Sequence, residues 1–197
     1  MIDISPYKDL RREFYKSYFE KALSYDKYRE ESNSPYWTKW ERHEGLISLT
    51  GNNKQTVSDF KRKLNVLVLS GVWCGDCQRQ GPMLYRIAKE NPLIDLRFIE
   101  SKSNPELQDE LRINGAEKVP VAVFLSEDFL EIQRFGDRHL SYYRRTVEKS
   151  NAAYCETGII DPEISELDSE LTEWCETFER IQHILSLSPF LKKRYEK

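Results

Sequence analysis

Val66-Leu67-Val68-Leu69-Ser70-Gly71-Val72-Trp73-Cys74-Gly75-Asp76-Cys77 is the stretch on which the fold turns. Its first four residues are an uninterrupted, β-branched-rich apolar run, the pattern of a strand buried on both faces, and they predict a central strand. From Cys77 to about Glu90, Met83, Leu84, Ile87 and Ala88 share one helical face, and Asn91-Pro92 stops the helix. Between strand and helix stand two cysteines separated by two residues. Cysteines so spaced at the start of a helix can close a small disulfide ring with little backbone movement. Unpaired N–H groups and the positive end of the helix dipole favour thiolate over thiol at that position. The geometry therefore predicts Cys74 as nucleophile and Cys77, one turn inward, as the thiol that resolves a mixed disulfide.

Outward from this stretch the periodicities continue. Leu93 to Glu100 reads as a second strand, followed by a short helix with Asn104 as cap, Pro105 in its first turn and Gly115 at its end. Val121–Leu125 and Phe129 to Phe135, separated by Ser126-Glu127-Asp128, read as an antiparallel hairpin. Asp137 to Tyr154 returns to helical spacing through Leu140, Tyr143 and Val147, which gives a βαβαββα order. After Thr157-Gly158, a long helix is marked by Ile164, Leu167, Leu171, Trp174, Phe178, Ile181 and Leu185, and Lys192-Lys193-Arg194 is expected to be a solvated tail. Upstream, Leu10, Phe14, Tyr18, Ala22 and Tyr25 predict one amphipathic helix from Pro6 to about Tyr25. A second helix runs from the break at Ser32–Pro35 through Trp37, Trp40 and Leu46 and is expected to end at Thr50-Gly51-Asn52-Asn53. Lys61-Arg62-Lys63 reads as a solvated helix end. The expected organisation is one domain over 1–197, with an N-terminal helical extension (1–53), an α/β core (54–155) and a C-terminal helix (156–197).

Composition narrows the function. A chain of 197 residues, 39% hydrophobic, can bury a substantial core. Its 30 basic and 33 acidic residues nearly balance, which argues against a nucleic-acid backbone or an anionic membrane as partner. The first residues carry neither a basic segment nor a long apolar one, and no later run is long enough to span a bilayer, so the cytoplasm is the expected location. Four cysteines, two of them in a CxxC, do not describe a disulfide-stapled scaffold; in a reducing compartment the pair is redox-active or metal-binding. It lacks the second Cys or His pair of a tetrahedral zinc site, so neither metal nor cofactor is expected. Cys155 and Cys175 read as buried helix residues, and His43, His139 and His183 show no ligand spacing. Trp37, Trp40 and Trp174 fall on helical stripes and read as packing, whereas Trp73, beside the nucleophile, reads as the border of a docking groove.

Trp73-Cys74-Gly75-Asp76-Cys77, with Pro82 five residues on, resembles the thioredoxin family. Val119-Pro120 precedes a strand where that family places its cis-proline, and Gly136 falls at the family's glycine after the hairpin. The resemblance covers about 56–154. It implies a thioredoxin-like three-layer fold with a central mixed sheet, Pro120 cis beside the cysteines, and a Val119 backbone open to an extended substrate segment. It further implies thiol–disulfide exchange with a disulfide-containing protein, recharged by an external reductase or a low-molecular-weight thiol. Two departures matter. Asp76 replaces the family's common proline. At about 6 Å a carboxylate repels a thiolate by about 0.7 kcal/mol in water and about 3 kcal/mol at an effective dielectric of 20, against up to about 1 kcal/mol from the dipole. Gly75 and Asp76 are therefore expected to tune the nucleophile, with Asp76 raising its pKa. The family's buried acid aligns with Val68, which leaves Asp76 or Glu100 to serve Cys77, or a slower resolution. Asp128 stands where the family hairpin often has glycine, leaving the turn type open. A non-catalytic partner-binding module and a redox sensor or metal carrier are the competing classes.

Overall fold

Every residue of the strand Leu64–Ser70 is buried, and alternation sends Leu64, Val66 and Val68 to one side of the sheet and Leu67 and Leu69 to the other. Full burial of each such aliphatic side chain contributes roughly 1.5–3 kcal/mol, so this strand organises the core. The computed structural model describes residues 7–32, 34–151 and 164–195. In chain order the elements are α1 (Arg12–Lys21), α2 (Tyr25–Ser32), α3 (Trp37–Leu46), α4 (Gly51–Ser58), β1 (Leu64–Ser70), α5 (Gly75–Glu90), β2 (Ile94–Glu100), α6 (Pro105–Glu110), β3 (Val121–Leu125), β4 (Glu131–Gly136), α7 (Leu140–Asn151), α8 (Ile164–Leu187) and α9 (Pro189–Tyr195).

The sheet is mixed, in the order β2-β1-β3-β4, with β1 parallel to β2 and antiparallel to β3, and β4 antiparallel to β3. Helices cover both faces, which makes the three layers. On one face Val66, Val68, Phe98 and Phe124 pack with Trp40 of α3, Leu84 of α5 and Phe178 of α8. On the other, Leu67, Val121 and Val123 pack with Tyr15, Tyr18 and Phe19 of α1 and Leu107 of α6. The βαβαββα order and the long α8, with Leu171, Trp174, Phe178 and Ile181 buried at helical spacing, follow the sequence pattern.

Other expectations are corrected. The single helix over residues 6–25 is two, because Leu23 leaves α1 to form an antiparallel bridge with Phe98 on the outer edge of β2. Backbone bonds of 2.9 and 2.7 Å close that bridge, so the chain cannot stay helical there. Gly51-Asn52-Asn53 opens α4 rather than ending α3, which stops at Leu46. The helix after Pro105 ends at Glu110, short of Gly115; Asn104 makes no side-chain cap and donates instead to the Glu100 carbonyl at 2.7 Å. Arg62 is buried, not solvated: its guanidinium meets Glu127 at 2.9 Å and its backbone is gripped by Gln182 of α8. At the hairpin turn the positive φ falls on Phe129, and Asp128 is buried, its Oδ1 accepting from Tyr195 at 2.9 Å. The helix expected from Asp137 begins at Leu140. Tyr154, Cys155 and the Thr157-Gly158 break lie outside the described residues. Lys192, Lys193 and Arg194 are exposed but belong to α9, which anchors itself through buried Leu191.

Candidate active site

The two cysteines sit where β1 hands over to α5. Cys74 is the N-cap residue, in extended conformation, and its carbonyl accepts the first helical bond from Gln78 at 2.9 Å. Cys77 lies one turn in and is fully buried, whereas Cys74 is partly exposed; both are free thiols. The Cys74 thiol donates to the Val119 carbonyl at 3.4 Å, directly before the cis Val119–Pro120 peptide, so the structure brings Cys74, Cys77, Val119 and Pro120 together. Val119 is thus not wholly open in the dithiol form, because its carbonyl is held by the nucleophile. Gly136 lets β4 pack against this turn: a Cβ there would lie 2.6 Å from the Pro120 carbonyl oxygen.

The electrostatics differ sharply between the sulfurs. The Cys74 thiol is lowered to about 7, first by the hydrogen bond that Cys77 S–H gives its sulfur, with backbone N–H groups of residues 76 and 77 adding to it against burial. Burial pushes the Cys77 thiol well up, and sharing its proton with Cys74 pushes it further.

Asp76 repels the Cys74 thiolate only weakly, as the least of the effects acting on it. Its carboxylate is held by Arg79 and by Arg138, each at 2.9 Å. Arg79 also meets fully buried Glu170 of α8 at 2.8 Å, and Glu170 meets Arg145 at 2.7 Å. Arg79 and Arg138 both lie over the Tyr142 ring, at 4.9 and 4.6 Å. The direction of the Asp76 effect is the expected one, and the two guanidiniums offset the carboxylate's charge, which weakens the repulsion relative to that of a lone carboxylate. Gly75 is exposed, and a side chain there would touch nothing.

Trp73 is 40% exposed; its indole N–H donates to Glu100 Oε1 at 3.4 Å and the Lys102 ammonium lies 4.7 Å above its ring. Neither carboxylate proposed to serve Cys77 reaches it directly. Asp76 faces the arginines, and Glu100 Oε2 accepts from the Tyr28 hydroxyl at 3.0 Å. Tyr28, Ser70, Arg79, Arg138 and Glu170 are the site residues that sequence reasoning missed. Ser70 alone carried a local signal, as the polar residue ending an apolar strand.

Trp37, Trp40 and Trp174 are buried as packing residues, and Cys175 is buried with its thiol pushed up to about 12. His43 and His139 are buried, and His183 is exposed. Among the described residues no group of three His, Cys, Asp or Glu side chains is disposed to hold a metal ion, and no helix is long and apolar enough to cross a membrane.

A family model described as Thioredoxin matches residues 22–142. Thioredoxin C-3 of Corynebacterium nephridii is 27% identical over 90 residues, 43% of this chain and 60% of that protein, so the chain spans less than two thirds of this curated relative. Among solved structures, a protein of unknown function from Pseudomonas aeruginosa is similar with a TM-score of 0.66 at 18% identity, covering 85% of this chain and 95% of that one. An HIV epitope-scaffold protein is similar with a TM-score of 0.57 at 18% identity, covering 87% and 94%. These two likenesses concern the fold alone.

Proposed function

The chain belongs to the thioredoxin family, and from that premise we propose that it is an oxidoreductase that reduces disulfides in other proteins by dithiol exchange through Cys74 and Cys77. The observation that carries this reading is the asymmetry of the pair: a partly exposed thiol lowered to about 7 beside a fully buried one raised well above its ordinary range. Near neutral pH the first is substantially thiolate and the second keeps its proton. The Cys74 thiolate attacks one sulfur of the target disulfide; a Cys74–target bond forms, the target S–S bond breaks, and the departing sulfur leaves as a thiolate that solvent protonates. Cys77 then loses its proton and attacks Cys74, closing the ring and releasing the second target thiol. Two electrons pass from the dithiol to the target, and an external reductase or small thiol restores the dithiol.

Trp73, Val119 and Pro120 border the groove for the target. As a thiolate, or once in the mixed disulfide, Cys74 has no S–H to donate, which leaves the Val119 carbonyl to accept from an extended target backbone. The setting we propose is cytoplasmic, where such a pair is kept reduced.

Insulin reduction with dithiothreitol as donor tests the activity, and trapping on Cys77→Ser identifies partners. Turnover by the parent, none by Cys74→Ser, and covalent complexes on Cys77→Ser are the expected results. No turnover, with partner binding retained by a Cys74→Ser, Cys77→Ser double variant, would replace the proposal with a non-catalytic module. Stoichiometric metal in reduced protein without turnover would replace it with a metal carrier.

A further inference from the structure

Resting on that oxidoreductase reading, a cavity beside the nucleophile bears on which disulfide proteins are taken. The Leu23–Phe98 bridge stitches the N-terminal segment to the outer edge of β2, and between the two lies an open cavity of about 330 Å³. Leu23, Phe98 and Ile99 give it apolar walls, and Lys21, Glu31 and Glu100 are the charged residues that line it. Two carboxylates against one ammonium leave it net negative.

Glu100, half-buried at the end of β2, joins this cavity to the redox site. Its Oε1 accepts from the indole N–H of Trp73 at 3.4 Å, and Trp73 directly precedes Cys74. Its Oε2 accepts from the buried Tyr28 hydroxyl at 3.0 Å. Both donors are neutral, so they fix the carboxylate without cancelling its charge. Among the described residues neither Glu100 nor Glu31 forms an ion pair. The two ammoniums of this region rest on aromatic faces instead: Lys21 lies over the Tyr18 ring at 5.1 Å and Lys102 over the Trp73 ring at 4.7 Å. A carboxylate held in place without a counter-charge, at the edge of an apolar-walled cavity, suits a cation carried on an apolar stem.

We propose that this cavity takes an arginine or lysine side chain of the target protein, a few residues from the cysteine that Cys74 attacks. The stem lies along Leu23, Phe98 and Ile99, and the charged head pairs with Glu100 and Glu31. An acidic side chain at the same place meets two carboxylates and is rejected, while Lys21 moderates the preference. Glu31 and Glu100 are thus specificity-determining residues, and α1 and α2 supply part of the wall that selects the target.

Cysteine peptides carried as mixed disulfides with 2-nitro-5-thiobenzoate test this. Cys74 bonds the peptide sulfur, the peptide–thiobenzoate bond breaks and the coloured thiolate leaves, so its release reports the first step alone. Arginine, glutamine or glutamate is placed in turn at each position from four residues before the cysteine to four after it, in otherwise neutral peptides. At one position or two adjacent ones arginine should react about fivefold faster than glutamine at low ionic strength, and glutamate more slowly, with the advantage shrinking as salt is added. In a Glu31→Gln, Glu100→Gln double variant the arginine-to-glutamine ratio should fall below about twofold; taken within one variant, the ratio cancels any general change in reactivity. Lys21→Gln should raise the ratio, which damage to the fold does not do. Glu31 makes no hydrogen bond, so Glu31→Gln, expected to lower the ratio alone, carries the test if Glu100→Gln does not fold. Equal rates for arginine and glutamine at every position, an advantage spread evenly over all positions, or one that survives both substitutions would overturn the proposal. Absence of thiobenzoate release by the parent with every peptide would instead remove the oxidoreductase reading.

Discussion

The surroundings of Cys74 and Cys77 are opposites, although three residues separate them. On the Cys74 side the side chains are charged: Asp76, the arginines Arg79 and Arg138 that hold it, then Glu170 and Arg145 from the C-terminal helices. Around Cys77 they are neutral and closely packed: Ser70, Tyr28 and the aromatic cluster of Trp37, Trp40 and Phe98, largely from the N-terminal helices. One turn of α5 carries the chain from one environment to the other. Each end of the chain thus equips one sulfur, the C-terminal side supplying Arg138 to pair an acidic neighbour and the N-terminal side shielding the second thiol.

The sharpest way to break this contrast is to remove the anchor of the N-terminal side. Trp40 is fully buried, donates to the Val72 carbonyl at 3.1 Å and occupies the space above Gly81, where a Cβ would lie 1.9 Å from its ring. Trp40→Ala should cost about 3–5 kcal/mol in urea unfolding. Gly81→Ala, which inserts a methyl into the same contact, should cost about 1–3 kcal/mol.

Acid should instead probe the charged side. His139 is buried between Phe135 and Trp174, and burial lowers its pKa to about 4. Its folded pKa lies below its unfolded one, so its contribution is complete above the unfolded value and is lost as pH falls from about 6.5 toward about 4. The stability difference between the parent and His139→Phe should therefore move against the parent by on the order of 3 kcal/mol across that window, read from urea midpoints.

Next in size is the guanidinium on Asp76. Arg138→Met should raise the Cys74 pKa by about half to one unit, measured by thiolate absorbance, and the rise should be smaller in an Asp76→Asn background. An equal rise in both backgrounds would mean that Arg138 acts on the sulfur directly. The smallest effect concerns Cys175, 2% exposed with its thiol pushed up to about 12. Cys175→Ser should leave native alkylation at pH 8 unchanged.

Much of this architecture is legible locally, and the rest is not for a definable reason. β1, α5, the hairpin and α8 announce themselves through apolar runs or helical spacing that burial then satisfies. The α1–α2 break does not, because Leu10, Phe14, Tyr18, Ala22 and Tyr25 stay in helical phase while a bridge to β2 interrupts them. Likewise Gly51-Asn52-Asn53 has the composition of a stop, yet Val57 is buried and Asn53 donates to Thr172 of α8 at 3.1 Å. At the site, the cysteines and the Val119–Pro120 turn could be placed from sequence. The fate of Asp76 could not, since one of its guanidiniums comes from 62 residues away. Tyr28 lies in a strongly polar helix with no mark of its burial or of its bond to Glu100.

Iodoacetamide alkylation of the reduced, folded protein as a function of pH, with peptide mapping, tests the inequality of the two sulfurs most directly. Cys74 should react alone, its rate rising with pH through a midpoint of about 7 and levelling above it, while Cys77 stays unmodified over the same range. Equal labelling of both thiols, or a Cys74 midpoint at the ordinary cysteine value of about 8.5, would contradict it.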